Sequence, residues 1–233
     1  MAEQALDRSQ FRFFHRLRVR WAEVDLQKIV FNPHYLMYVD TALGDYWRAL
    51  ALPYEPSLKA MGGDLYVRKS TLEFHASAEY DDLLDVALRC ARIGNSSLQL
   101  VSGIFRDEQL LVGAELVYVF ADPVAKRALP VPAVLRDLLL GYEAGQSVVQ
   151  TRIGSWGELQ NQIKALRPSD GQDEAALHCV LTNALGEPVA SARLLETAQQ
   201  RPDALAVAPL LRGSGWEDVA AQALLAGAAR RRR

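Results

Sequence analysis

The chain has 233 residues, half of them apolar, and 26 Lys and Arg stand against 28 Asp and Glu for a formal net charge of −2. That is apolar material enough for a real core, in one large domain or in one of ordinary size with a smaller unit beside it. So even a charge balance gives no electrostatic reason for a nucleic-acid partner, and no run approaches the ~20 apolar residues of a membrane span.

The first ten residues, MAEQALDRSQ, are polar and read as a frayed tail, without the apolar stretch of a signal peptide. Cys90 and Cys179 match no metal-ligand spacing and read as reduced core residues, which suits a cytoplasmic protein. Phe11, Phe13, His15, Leu17, Val19 and Trp21 alternate and predict a strand over 11–22. Tyr35, Leu36, Val39, Ala42, Leu43, Tyr46, Trp47 and Leu50 recur at helical spacing and predict a helix over 34–50. Asn32 is its N-cap, and Pro33 takes the first helical position, where a missing N–H costs nothing. Residues 51–64, with prolines and paired glycines, read as a loop.

From there the period is two. Strands are predicted over 65–80, 84–94, 97–107 and 109–122, broken by Asp81-Asp82, Asn95-Ser96 and Asp107-Glu108. Such spacing predicts an antiparallel meander, and its buried face needs the helix 34–50 as a cover. A further helix begins at Pro132 and ends by Gly141 and Gly145, before a linker. Composition shifts after residue 147. A strand (147–153), a helix (154–167), a hairpin turning at Ala184-Leu185-Gly186-Glu187 and a short strand (205–209) follow. A glycine-rich loop then runs into an Ala-rich helix that ends in Arg230 to Arg233, read as a solvated helix end.

The chemistry centres on Asp25, seven residues before the Asn32-Pro33 pair. Alone, it is an ordinary loop carboxylate capping backbone amides. Between a strand and a helix start it has a second use: the carboxylate supplies a base or nucleophile toward a carbonyl, and amides at the helix start stabilise the oxyanion. The Asn32 side chain suits a cap, and its backbone N–H suits that oxyanion. His34 reads as locally packed or hydrogen-bonded, His75 as a satisfied strand histidine, and His15 and His178 belong to no constellation. Ser96 and Ser97 are turn residues or, more specifically, contacts for a phosphate or pantetheine group at the sheet edge. The sequence contains no Gly-x-Ser-x-Gly elbow, His-Glu-x-x-His pair or Walker loop.

Val19-Arg20-Trp21, Asp25, the run Ile29-Val30-Phe31-Asn32-Pro33-His34-Tyr35-Leu36 and the order of elements resemble the hot-dog-fold acyl-CoA thioesterases, in particular the 4-hydroxybenzoyl-CoA thioesterase and YbgC/FadM-like group. The resemblance covers residues 11–140. It implies an α+β hot-dog fold, an antiparallel five-stranded sheet wrapped on a long helix, over 11–142. It also implies an acyl-CoA substrate, no separate cofactor or metal, and a homodimer or homotetramer with active sites between subunits. Asp25 falls at the family's catalytic Asp, Asn32 at the amide that contacts the thioester oxygen, and Tyr35 at a substrate-side aromatic. Many relatives have Gly where Gln27-Lys28 stand, and some have His where Asn32 stands.

Residues 148–233 resemble part of a GNAT N-acetyltransferase, an incomplete α/β segment, through His178-Cys179-Val180, Leu185-Gly186-Glu187-Pro188-Val189, Ala192-Arg193-Leu194-Leu195, Val207-Ala208-Pro209 and Arg212-Gly213-Ser214-Gly215. Glu217 would face phosphate there, and the chain stops at the helix, so the segment reads as a relic or docking module. Three functions follow from the whole: an acyl-CoA thioester hydrolase, a non-catalytic acyl-CoA or acyl-carrier binding module, or, third, acetyl transfer by residues 148–233.

Overall fold

The computed structural model describes residues 6–195, 203–208 and 211–231. The chain divides into two compact units, Met1–Ala49 with Tyr54–Gln146, and Leu50–Pro53 with Ser147–Arg233.

Unit 1 contains β1 (Phe13–Arg18), α1 (Pro33–Ala49), α2 (Tyr54–Ala60), β2 (Asp64–Phe74), β3 (Leu83–Ile93), β4 (Ser97–Arg106), β5 (Gln109–Ala121) and α3 (Ala133–Glu143). The five strands form one antiparallel sheet in the order β1-β3-β4-β5-β2. α1 buries Tyr35, Tyr38, Val39, Ala42, Leu43, Tyr46 and Trp47, a stripe at three- and four-residue spacing, and packs against β1 and β3. Alternate residues of β5 (Val112, Ala114, Leu116, Tyr118 and Phe120) are buried, the pattern of a sheet with one face in the core.

Five expectations need correction. The meander is confined to β3-β4-β5. β2 pairs with β5 instead of β3, because β1 occupies the other edge of β3 from Phe13 opposite Leu88 to Arg18 opposite Leu83. Residues 75–82 therefore pass from the β2 edge of the sheet to β3, beside the opposite edge strand β1, and the strand expected over 65–80 stops at Phe74. The strand expected over 11–22 ends at Arg18. Beyond it Val19 donates its amide to the Asp82 carbonyl, and Trp21–Glu23 form a 3₁₀ turn. The loop expected over 51–64 holds α2, two turns long and too short to show a helical period. The tail is ordered within the described residues. Arg8 bonds Asp85, and Phe11 packs edge-on against Phe105 beside Ala87 and Leu6; residues 1–5 lie outside the described residues.

Unit 2 contains β6 (Gln150–Gly154), α4 (Trp156–Leu166), β7 (Leu177–Thr182), β8 (Pro188–Leu194), β9 (Asp203–Val207) and α5 (Trp216–Arg231). Its sheet is antiparallel in the order β6-β7-β8-β9. Leu159 and Ile163 of α4 pack on Val180 of β7. Asp173 is fully buried among Arg167, Arg193, Ser169 and the Asp170 amide. Burial pushes its carboxyl up, but the hydrogen bonds led by Arg167 outweigh that and hold it well below the usual range. Of the sequence features expected at the end of the chain, Pro209, Arg232 and Arg233 lie outside the described residues.

Both cysteines are buried free thiols, and burial pushes Cys90 up to about 12 and Cys179 up to about 11. Among the described residues, no helix is long and apolar enough to cross a membrane.

In unit 1, Asp85 is nearly buried and accepts from Arg16 (2.8 and 3.0 Å) and Arg8 (2.9 Å). The Arg16 hydrogen bonds, aided by those of Arg8, hold its carboxyl below the ordinary value against the cost of burial. A depressed folded value stabilises the fold above the unfolded carboxylate range, and that gain is lost as pH falls through the folded value. Asp85→Asn should therefore lower the unfolding free energy at neutral pH by about 2 kcal/mol, under the ~3–5 of a fully buried pair because Arg16 is largely exposed. The difference from wild type should shrink on acidification, measured by urea titration across pH.

Candidate active site

The site is built where the chain leaves β1. Val19 is tied to the crossover segment by its amide to Asp82 (2.9 Å) and by the Asp81 amide to its own carbonyl (3.2 Å). The 3₁₀ turn at Trp21–Glu23 then feeds a small hairpin. Glu23 accepts the Phe31 amide (2.9 Å), Val24 bridges Val30, and the Asp25 amide donates to Ile29 (3.0 Å). At the tip, the Lys28 amide returns to the Asp25 carbonyl (3.0 Å) with Lys28 at φ +66°, the left-handed conformation that glycine adopts most freely. Lys28 thus stands in a backbone geometry that glycine would take at lower cost. The far arm of the hairpin is clamped to the crossover by a bridge from Ile29 to Glu79 and by the Val30 amide donating to Ala78 (2.9 Å).

Asp25 is half-buried at this tip. Its Oδ1 accepts the Gln27 amide at 2.7 Å, an Asx turn that orients the carboxylate, and its Oδ2 has no hydrogen-bond partner among the described residues. It lines a cleft of about 1030 Å³ with Trp21, Glu23, Phe31, His34, Glu79 and Tyr80, among others. Trp21 and Tyr80 meet edge to face at 5.4 Å, and Phe31 meets His34 at 6.2 Å. Much of the cleft wall is therefore aromatic and open to an incoming group.

Phe31 and His34 bracket Asn32, the residue just before α1. Its side chain makes no hydrogen bond among the described residues, so the expected side-chain cap is absent; the His34 amide closes onto the Phe31 carbonyl instead (2.9 Å). The Asn32 backbone N–H likewise has no acceptor among the described residues. With Pro33 contributing no N–H, it is an open donor at the positive end of a 17-residue helix.

Tyr35 is one turn further and only 2% exposed. Its hydroxyl accepts the Ala78 amide at 2.8 Å, and its ring packs against Tyr38 and Phe74. It is absent from the lining of the Asp25 cleft, and its contacts within the subunit are structural. Ser96 and Ser97 lie in the β3–β4 turn, where Phe120 donates to Ser96 and Gly94 to Ser97. That turn is at the opposite end of β3 from Leu83 and the cleft, roughly 30 Å along an extended strand. Within one chain the Asp25 cleft takes in Phe31 and His34, on either side of Asn32, but not Asn32 itself, and Ser96 and Ser97 lie apart from it.

Sequence reasoning missed Glu23. It is 3% exposed yet borders the cleft. Its carboxylate accepts the Arg20 amide and Nε (both 2.7 Å), a second Arg20 nitrogen, and the Tyr38 hydroxyl (2.7 Å). Burial pushes its carboxyl up; the hydrogen bonds from Arg20 and then Tyr38 overcome this and keep it below the ordinary value. The available signal was an Arg three residues before a Glu at the end of a strand. Among the described residues, no group of His, Cys, Asp and Glu is arranged to hold a metal ion.

Residues 27–113 match the Thioesterase superfamily, a span that starts two residues after Asp25. The chain is similar to the acyl-CoA thioester hydrolase YbgC of Escherichia coli, 28% identical over 117 residues, which is 49% of this chain and 87% of that protein. Among solved structures it is similar to a Pseudomonas aeruginosa protein (TM-score 0.51, 28% identity, 60% of this chain and 96% of the other). It also shares a fold with a 1,4-dihydroxy-2-naphthoyl-CoA thioesterase from Synechocystis (TM-score 0.51, 18% identity, 55% of this chain and 95% of the other). The fold of unit 1 is thus the expected hot-dog fold.

Tyr35→Phe should leave the Ala78 N–H buried without its acceptor. The expected cost is about 1–2 kcal/mol of unfolding free energy, read from denaturant midpoints with an unchanged slope.

Proposed function

The chain carries a hot-dog thioesterase-superfamily domain and is a thioesterase enzyme, and from that premise we propose that unit 1 hydrolyses an acyl-CoA thioester to a free acid and CoA. The observation that supports the reading is a cleft lined by Asp25, whose Oδ2 has no hydrogen-bond partner among the described residues, and by Phe31 and His34, which flank Asn32 at the start of α1; Asn32 itself is not in the lining, and its N–H has no acceptor among the described residues.

In this reading the thioester carbonyl rests over the start of α1. The Asn32 amide and the helix dipole absorb charge on its oxygen, a contribution worth about 3–4 kcal/mol for one such donor elsewhere. Asp25 then acts in one of two ways. As nucleophile, its oxygen bonds the carbonyl carbon, the C–S bond breaks with CoA leaving as thiolate, and water cleaves the resulting anhydride to regenerate the carboxylate. As general base, it takes a proton from a water that attacks the same carbon, with the same thiolate leaving. Neither route calls for a separate cofactor. We place the reaction in the cytoplasm and in a homodimer or homotetramer. Ser96 and Ser97 keep their suggested role toward the CoA phosphates or pantetheine only if a second copy brings them to this cleft.

The alternative is a non-catalytic acyl-CoA or acyl-carrier binding module. It draws support from Asn32 standing where some relatives have His, which leaves Asp25 without an imidazole at that position. Unit 2 keeps its reading as a GNAT-like relic or docking module. Gly213 and Gly215 take φ of +77° and +81° ahead of α5, but Glu217 and Asp218 fill its first turn and oppose a phosphate there.

Asp25→Ala should cut thiol release from a panel of acyl-CoA esters by about 10²–10⁴-fold while the unfolding midpoint barely moves. Asn32→Ala should stay within about threefold of wild type, because the donor is backbone. Tight binding of acyl-CoA by the wild type with no thiol release would select the binding module, and full activity in Asp25→Ala would remove Asp25 from the mechanism.

A further inference from the structure

Glu23 is two residues from Asp25 and faces away from open solvent. Its main chain and side chain hold different things. The carbonyl accepts the Phe31 amide and so closes the base of the Asp25 hairpin. The carboxylate reaches back to Arg20, ahead of the hairpin, and across to the Tyr38 hydroxyl on the second turn of α1. One residue thus connects the exit from β1, the hairpin that carries Asp25 and the helix whose start carries the Asn32 amide. The carboxylate is saturated with donors and nearly inaccessible, so it has no oxygen to offer a substrate.

We propose that Glu23 is a positioning residue for thioester hydrolysis: by tying the base of the Asp25 hairpin to Tyr38 of α1, it sets the separation between the Asp25 carboxylate and the open amide at the helix start. This rests on the hydrolase reading of the same cleft. The physical demand is steep, since a displacement of about 1 Å at a reacting group can cost about 10²-fold in rate. Two tethers share the task. The crossover holds the outer arm of the hairpin through Ala78, and Glu23 holds its base. Loss of the Glu23 carboxylate should let the base tilt while the outer arm stays attached, so binding survives and turnover suffers.

The test uses the full chain and the variants Glu23→Gln, Tyr38→Phe, Asp25→Ala and the double variant Glu23→Gln/Asp25→Ala. Glu23→Gln keeps the size and an acceptor for Tyr38 but loses the ion pair to Arg20. It should lower kcat about 10–100-fold with KM within about threefold. Tyr38→Phe, which removes the tie to α1 itself while the Arg20 pair stays in place, should lower kcat at least as far as Glu23→Gln. In the Asp25→Ala background Glu23→Gln should cost nothing further, because it acts through Asp25. Amide hydrogen exchange in Glu23→Gln should quicken over residues 24–31 and stay unchanged in β4 and β5. A kcat within twofold of wild type in Glu23→Gln, a further loss in the double variant, or faster exchange throughout unit 1 would each overturn the proposal. If the wild type releases no thiol, the hydrolase reading fails on its own. The exchange pattern then decides whether Glu23 fixes the hairpin: quickening confined to 24–31 supports that, and its absence refutes it.

Discussion

The backbone of one small buried residue holds the candidate site together. Ala78, fully buried in the crossover between β2 and β3, donates its amide to the Tyr35 hydroxyl of α1 and accepts the Val30 amide of the Asp25 hairpin. Both of its main-chain groups are thereby satisfied, which a buried peptide requires. The consequence reaches well beyond Ala78. Hairpin and helix start are both referenced to the same peptide, so an acid and an open helix-start amide that belong to different elements share one frame. The crossover exists because β1 takes the edge of β3, which leaves β2 to pair with β5 on the far side of the sheet. Sheet order and site geometry are therefore one fact seen at two scales.

Two carboxylates lie within three residues of each other and meet opposite environments. Glu23 is buried, surrounded by donors from Arg20 and Tyr38, and its charge is spent on structure. Asp25 is half-buried, lines the cleft, uses one oxygen on the Gln27 amide and has no hydrogen-bond partner for the other among the described residues. The division follows from what each side chain can reach, because residue type alone makes them near equivalents. Sites that assign different tasks to neighbouring acids by environment are a recurring device in enzymes. Trp21, Tyr80 and Phe31 add a wall of exposed aromatic surface beside the open oxygen, apolar area that water leaves readily when a ligand arrives.

Much of the fold was legible because its elements are long and strongly patterned. The stripe Tyr35, Val39, Ala42, Leu43, Tyr46 and Trp47 has a single helical solution, and the alternation from 84 to 121 leaves little choice but strands joined by tight turns. α2 was not legible, because two turns of helix with prolines and glycines nearby carry no period. Nor was the ordering of Arg8 and Phe11, whose partners Asp85 and Phe105 lie far along the chain. Within the site, Asp25 and Asn32 stood out through spacing from a helix start, a local property. Tyr35 looked like a substrate-side aromatic, and its hydroxyl instead turned out to serve Ala78, 43 residues away. The side chain of Asn32 looked like a cap, yet the turn closes through backbone alone.

Sequence alone determined the long helices, the strands from 84 to 121 and the turns between them, and that a carboxylate precedes a helix start by a fixed number of residues. Those are consequences of local stereochemistry and of apolar periodicity, which neighbours in the chain decide among themselves. Only the tertiary structure decided that β2 lies beside β5, that Glu23 is buried while Asp25 stays open, and that Ser96 and Ser97 sit at the far end of β3 from the cleft. Each of these depends on which distant peptide or side chain satisfies a hydrogen bond, and a buried polar group takes whichever partner the packed chain brings within reach.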